Sequence, residues 1–550
     1  MMLLVLFISF GSLIACSSKQ SGSSEEDVKE KVENLGELPE KFDEEVTVTT
    51  VRHVGGDVLF KEGETMEDNV HSQWAKEKFN INFKYLWTTS GPQDAFTTKM
   101  RLALSANEEM PDIIALRDEV TNDLIDSRKF MDVGEVFDKY ASDTWKAAMN
   151  EDPTVWYPFT RDGVKYAIPI LDYAMNGDPV LFIREDWMKK LNLDAPETLE
   201  DLEKVMDAFV NQDPDGNGKK DTYGLTIGFK NNLNTWMSDA GWIFGAYGAM
   251  PNQWNVTEDG KLEHGSTNPA VKQGLATLND WMNKGYIHQE SGLWDEVKAS
   301  ELFTSGQAGI IVGPHWMPSW PLQDVLANVE GSEFRPYPIP SGPDGKAGRH
   351  GTQNYNGAVL INKDADPEVI KAFFVYQNYL FEHFANPPVG GEFEHGFKEG
   401  YDYVLKDGKA SSDVPGGAIN PVKYTLTFDG ARIPSLSLNT LYELANGATA
   451  ETPFQKSQEL FGTTYPGVYE AAKIVIDQKD IVMPSMFTGA PTKTQKSLGQ
   501  SLDKILSEGF NKIIYGETPI DEFDTIVEKW KSSGGDTWTE EVNEWYQSVQ

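Results

Sequence analysis

Polar and apolar positions along the chain follow two rhythms. Val46-Thr47-Val48-Thr49-Thr50-Val51 is β-branched with a period of two and predicts a strand. Pro111-Asp112-Ile113-Ile114-Ala115-Leu116 predicts a buried strand entered through a proline turn, and Gly306 to Pro314 predicts a turn and a short strand ending at a glycine corner. Between such segments the period lengthens to that of a helix. Leu199, Leu202, Val205, Met206 and Phe209 make one apolar stripe behind Thr198, with Asp201 at capping-box spacing. Asn268-Pro269 opens a helix that buries Val271, Leu275, Leu278 and Met282 and stops at Gly285; Asp366-Pro367 opens another through Ile370, Phe373 and Phe374. From Ser501 the pattern predicts a helix, a turn at Gly516 to Pro519, a helix, and a short last helix after Gly534-Gly535-Asp536. Alternating strands and helices predict an α/β architecture. A chain of 550 residues exceeds what one core supports, so two lobes are expected.

The amino terminus breaks the pattern. Leu3 to Ile8 is an uncharged apolar run leading to Ser12-Leu13-Ile14-Ala15-Cys16, and Cys16 is the only cysteine. A membrane-spanning helix needs about 20 apolar residues, so this run has the length of a signal-peptide core instead. Leu13-Ile14-Ala15-Cys16 resembles the lipobox of bacterial lipoproteins, which implies cleavage after residue 15 and lipidation of Cys16. The basic residues usual before such a core are missing. Residues 16–45, first Ser-Gly and then Glu-Lys in character, are expected to be a flexible tether.

The net charge of −37 argues against nucleic acid, whose phosphates need clustered Lys and Arg, and against an anionic membrane surface. Membrane attachment would therefore come through the lipid alone. The same charge makes an anionic ligand a less natural choice, although net charge does not report a local cleft.

Asp213-Pro214-Asp215-Gly216-Asn217-Gly218-Lys219-Lys220-Asp221 has the calcium-loop rhythm. Side-chain oxygens stand at positions 1, 3, 5 and 9, a carbonyl at Lys219, and glycine at position 6. Position 12, where a bidentate Glu is expected, is Gly224. A structural Ca2+ site with ligands Asp213, Asp215, Asn217, Lys219 and Asp221 is the expectation; an Asx-rich turn without metal is the alternative.

Aromatic residues beside amide and charged groups suit sugars, which offer CH faces for stacking and hydroxyls for hydrogen bonds. Trp156, Tyr173, Trp236, Trp242, Trp316, Trp320, Asn354 and Tyr355 are the candidates, with Trp316 delivered by the strand that ends at Pro314. Two of Trp242, Trp316 and Trp320 are expected to line a cleft. Neither a Gly-x-Ser-x-Gly elbow nor a His-Glu-x-x-His zinc motif occurs, so no catalytic residue is expected. A surface polysaccharide-degrading enzyme and a peptide-binding protein remain alternatives.

These segments in order resemble the extracellular solute-binding lipoproteins of bacterial carbohydrate ABC transporters, in particular the long group with alginate-oligosaccharide-binding proteins. The resemblance lies in Pro111 to Ile114, Ala167-Ile168-Pro169, Phe182 to Leu191, the Asp213 to Asp221 loop, Gly313-Pro314-His315-Trp316, and Trp538 to Tyr546. It implies two α/β lobes joined by a multi-crossing hinge and closing on an oligosaccharide, which is then passed to the transporter's permease subunits without reaction. It implies residues 46–170 in lobe 1, 171–337 in lobe 2, 338–440 mostly in lobe 1, and 441–550 mostly in lobe 2. It implies Arg117, Glu119 and Asp172 as polar ligand contacts, and either His315 or Trp316 as the stacking residue of the Gly-Pro turn. A monomer, lipid-anchored on the outer face of the cell membrane, completes the expectation.

Overall fold

The computed structural model describes residues 35–550 apart from 92, 93 and 118. Cys16, the signal segment and most of the expected tether lie outside the described residues. The end of that tether does not behave as one. Leu35 and Phe42 are buried in the first core, and the Tyr140 hydroxyl donates to the Gly36 carbonyl at 2.7 Å. Two apolar side chains among the charges are enough to dock the segment.

The strand at Val46–Val54 pairs in parallel with Ile81–Ser90. Beside them lies a three-stranded antiparallel sheet, with Tyr355–Ile361 between Ile113–Leu116 and Ile168–Leu171. The main-chain N–H and the hydroxyl of Thr49 both donate to Asp112 Oδ2, at 2.9 and 2.6 Å, and so join the two sheets. Apolar side chains of residues 35–171 and 358–431 fill the core around these strands. A second core is built from residues 180–339 and 438–542. Its sheet runs in the order Phe334–Tyr337, Pro179–Arg184, Ala308–Pro314, Tyr223–Leu225. The fold is thus α/β in two lobes, and the chain passes between the cores three times: near residues 172–179, 340–357 and 432–437.

Local signals explain the helices that frame the cores. Thr198 caps Leu199–Asn211 by accepting from the Asp201 N–H, and the expected stripe is buried against the second sheet. Asp366 caps Pro367–His383 by accepting from the Glu368 N–H. The helix predicted from Ser501 begins earlier: it spans Lys493–Ile514, with Thr492 as its cap. Polar residues in its first two turns hid the start, because their exposed face carries no periodic signal.

Candidate ligand cleft

The first wall of the site is made where strands of lobe 1 end. Arg52 lies near the end of Val46–Val54, and Arg117 directly follows Ile113–Leu116. Arg52 is buried; its guanidinium donates to the Thr425 and Lys423 carbonyls at 2.7 and 2.5 Å, and its Nε has no partner. Arg117 Nε donates to the Asn356 carbonyl at 3.2 Å, and its other end meets Asp429. Both guanidinium carbons lie over the Phe428 ring, at 4.5 and 4.7 Å from its centre. Phe428 has φ of +71°, a conformation that costs a bulky side chain on the order of 1–3 kcal/mol.

A bulge shapes this wall. The register of Tyr355–Ile361 slips between Tyr355 and Ala358, where Gly357 has φ of +104°. A Cβ on Gly357 would come within 2.4 Å of the Leu116 carbonyl oxygen, so only glycine lets the strand approach Arg117 here.

Asp429 and Arg432 hold the wall's charges together. Burial would raise the Asp429 carboxyl, but Arg432, Arg117 and Lys423 outweigh it and hold the group far below the ordinary carboxylate range. Arg432 bonds to Asp172 and stands 3.3 Å from Asp429, with its guanidinium 4.9 Å from the centre of the Tyr173 ring. Burial disfavours the Arg432 charge, and the neighbouring Asp429 and Asp172 reverse the sign and raise its pKa. Asp172 also accepts from the Tyr173 N–H at 2.8 Å and from the Asn176 amide at 3.3 Å. Asn354 is tied to the same turn: its carbonyl accepts from the Asp172 N–H at 2.9 Å, while its amide donates to Asp152 at 3.0 Å.

A cluster of three indoles stands at a strand end of the second lobe. Trp316, two residues beyond the Ala308–Pro314 strand, donates its indole N–H to the Asn176 carbonyl at 2.8 Å. Its ring lies 5.9 Å from Trp236 with 24° between planes, and Trp320 lies 6.1 Å from Trp236 at 14°. Glu296 fixes the shared Trp236 by accepting its indole N–H at 2.9 Å. Trp320 is 43% exposed, the most open of the three. His315 is buried with an unpartnered Nδ1, and burial lowers its pKa to about 4, so Trp316 and not His315 is the residue available for stacking.

The remaining sequence candidates separate. Asp172, Tyr173, Asn354, Arg117, Trp316 and Trp320 stand in the network just described. Trp242 is a correction: it is fully buried, 6.3 Å from Trp281, with its N–H satisfied by the Asp239 carbonyl at 2.9 Å, so it is core and lines no cleft. It lies on Gly241–Gly245, a short helix buried at every position, and such a segment hides all its side chains. Trp156 is likewise buried, edge-on to Phe137 at 5.2 Å. Glu119 is exposed and pairs with Arg101 at 2.9 Å. Tyr355 is half-buried edge-on to Phe159 at 5.4 Å, and burial pushes its hydroxyl up to about 12. Arg52, Lys423, Phe428, Asp429 and Arg432 were absent from the sequence candidates. Asp429-Gly430-Ala431-Arg432 carried a faint signal, two opposite charges close together in an otherwise uncharged stretch.

The Asp213 to Asp221 loop lies on the second lobe, after the helix that ends at Asn211. The Asn217 amide donates to Asp215 at 2.7 Å and to Asp221 at 3.0 Å, and the Gly218 N–H points at Asp213 at 3.1 Å. Burial raises the Asp215 pKa, and Asp213 and Asp221 push the same way. Among the described residues, no three acidic, His or Cys side chains are drawn together closely enough to hold a metal ion.

A two-lobed α/β molecule whose chain passes between the lobes three times has the architecture of a solute-binding protein. Residues 58–380 match the bacterial extracellular solute-binding proteins, and the chain belongs to that family. Lipoprotein LipO of Bacillus subtilis (strain 168) is 26% identical over 499 residues, which covers 88% of this chain and 90% of that protein. Alginate-binding protein AlgQ2, solved without calcium ion, shares the fold with a TM-score of 0.65 at 18% identity, over 93% of this chain and 100% of that one. The Streptococcus pneumoniae ABC-transporter substrate-binding protein FusA, solved with kestose, gives 0.63 at 18% identity, over 92% and 99%. The family is one of solute-binding proteins.

Proposed function

We propose that the protein is the substrate-binding subunit of a carbohydrate importer, holding an oligosaccharide between its lobes and delivering it to an ABC permease. The observation that carries this reading is the Trp236–Trp316–Trp320 stack, tied through Asn176 to the Arg117–Asp429–Arg432–Asp172 network. Three indoles in near-parallel planes suit a chain of sugar rings, whose CH faces stack on them. The charged network supplies fixed donors and acceptors for hydroxyls. Relatives support the class of ligand: AlgQ2 is an alginate-binding protein, and FusA was solved with kestose. Closure about the three crossings would bring the two walls onto the ligand. Membrane attachment on the extracellular face would come from lipid on Cys16, with the protein a monomer. We take residues 46–170 and most of 338–440 as the first lobe and 171–337 and most of 441–550 as the second, a division that the two separate sets of core residues support.

Calcium fits the Asp213 loop by donor chemistry. Asp213, Asp215, Asn217, the Lys219 carbonyl and Asp221 are all oxygen donors, and burial, with Asp213 and Asp221 adding to it, raises the Asp215 pKa, disfavouring a charge that a cation would favour. A bound ion would stiffen the loop on its lobe.

A thermal-shift screen against plant and bacterial oligosaccharides, with calcium present, tests the reading. A ligand that binds only the folded state raises Tm by mass action. A rise of several degrees with one oligosaccharide family and no product formed is expected. A shift with peptides alone, or turnover of any glycan, overturns it.

A further inference from the structure

We propose that the cavity at the carboxyl ends of the Val46–Val54 and Ile113–Leu116 strands is a subsite for a carboxylate-bearing sugar unit, so that the captured oligosaccharide contains uronic acid. This assignment rests on the oligosaccharide reading of the cleft and names the chemical class of its ligand.

The cavity holds about 200 Å³ and is lined by Arg52, His53, Asp57, Arg117, Lys423 and Phe428, with apolar side chains completing its floor. That volume lies below the ~300–1,000 Å³ of a site enclosing a whole drug-sized ligand, so the cavity suits one unit of a longer chain.

Charge is distributed here against the trend of the molecule. The chain as a whole carries −37, yet four cations meet at this wall: Arg52, Arg117, Lys423 and Arg432. Their described carboxylate partners are three. Asp429 is shared among Arg117, Lys423 and Arg432; Asp172 pairs with Arg432; Asp57, whose side chain is 65% exposed, stands 3.3 Å from Lys423. Water screens an exposed partner such as Asp57, so it offsets little of the buried charge.

Arg52 makes the deficit specific. It is buried, forms no ion pair among the described residues, and leaves Nε without a partner. Arg117 lies over the same Phe428 ring, so two guanidinium groups are packed near one another, and the one carboxylate between them, Asp429, pairs directly with Arg117 and not with Arg52. Burial lowers the Arg52 pKa, and the Arg117 charge adds to that effect. Setting a second cation against a buried guanidinium is costly unless an anion completes the group. A carboxylate is the anion that a planar guanidinium fork fits best, through paired N–H donors.

Calorimetry on the full protein in mild detergent tests the assignment. The probes are oligomers of galacturonate, guluronate, mannuronate and glucuronate, their methyl esters, and neutral malto-, cello-, xylo- and fructo-oligosaccharides. The ester keeps the ring and linkage and removes only the charge. One uronate oligomer is expected to bind about tenfold or more tighter than its ester, with the advantage shrinking as salt is raised. Lys423→Gln, which removes one cation of the lining, should reduce the acid-to-ester ratio several-fold. Equal affinity for acid and ester, or tight binding of a neutral oligosaccharide with no uronate binding, overturns the carboxylate subsite and leaves the oligosaccharide reading standing. Binding of none of these probes overturns both.

Discussion

The Trp316 indole N–H donates to the Asn176 carbonyl oxygen at 2.8 Å, and the Asn176 amide in turn reaches Asp172 at 3.3 Å. The aromatic wall is thereby tied to the charged wall through the segment where the chain first passes between the cores. Trp316→Phe keeps an aromatic ring but deletes the donor and leaves a partly buried carbonyl short of a partner. A loss of about 1 kcal/mol in oligosaccharide binding is expected, roughly fivefold in Kd. Calorimetry checks it; unchanged affinity would remove the indole bond from the account.

Trp320 and Trp242 make a paired test of what a tryptophan does here. Trp320→Ala removes an exposed platform, so stability should stay within about 0.5 kcal/mol while binding falls by about 1–2 kcal/mol. Trp242→Ala empties a packed site beside Trp281 and should cost about 3–5 kcal/mol of stability. Urea denaturation and calorimetry on both variants separate the two roles. The same Kd for Trp320→Ala as for the parent protein would take Trp320 out of the site.

Arg432 supports two carboxylates at once. Arg432→Met strands Asp172 and leaves Asp429 with fewer cations, and should destabilise the protein by about 2–3 kcal/mol given its partial exposure. Asp429 has a folded-state pKa far below its ordinary value. Its contribution to stability is therefore complete above about pH 4 and is lost as pH falls toward the depressed folded value. In Arg432→Met that depression is smaller, so less of the stability is lost over the acid range. Denaturation at pH 7 and at pH 3 should show the variant closer to the parent protein at the lower pH.

Much of the framework was legible because it rests on local rules. The Thr198 and Asp366 caps, the Leu199 to Phe209 stripe and the strand at Ile113 all appear where periodicity placed them. Trp316 could be placed just beyond a strand end because a short apolar strand led to it. Trp242 could not be told apart from it, since burial of an indole depends on what the rest of the chain packs over it. Arg52, Asp429 and Arg432 were out of reach for a related reason. Arg52 donates to carbonyls more than 370 residues away along the chain, and no pattern within either segment reports that meeting.

His264 offers a clean acid-side signature. It is buried among Trp254, Trp530 and Trp538, its Nδ1 has no partner, and burial lowers its pKa to about 4. Between pH 6.5 and 4 the unfolded chain takes up a proton that the folded chain refuses, so stability falls as pH drops through that window. His71 and His315 act in the same direction, while His350, raised beside Asp239 at 3.5 Å, opposes them. His264→Asn lowers Tm through lost packing, but the decline in Tm from pH 6.5 to 4 should be shallower than in the parent protein. An unchanged slope would mean that His264 already titrates normally.

Calcium at the Asp213 loop makes the last prediction. The loop carries three aspartates and the Asn217 oxygen, with glycine at position 12 in place of the chelating glutamate. Fewer charged ligands mean weaker binding, in the range of about 10⁻⁴–10⁻³ M known for extracellular calcium modules. Raising calcium from far below to well above that range should increase Tm progressively, and chelator should reverse the gain. At a concentration 100 times Kd the stabilisation would approach about 2.7 kcal/mol. Asp215→Asn removes a carboxylate whose charge is disfavoured by burial and by Asp213 and Asp221, so the variant without calcium should be as stable as the parent protein or more so, yet gain less from the ion. That crossing of the two curves distinguishes a metal site from an Asx-rich turn, in which Asp215→Asn would shift both conditions equally.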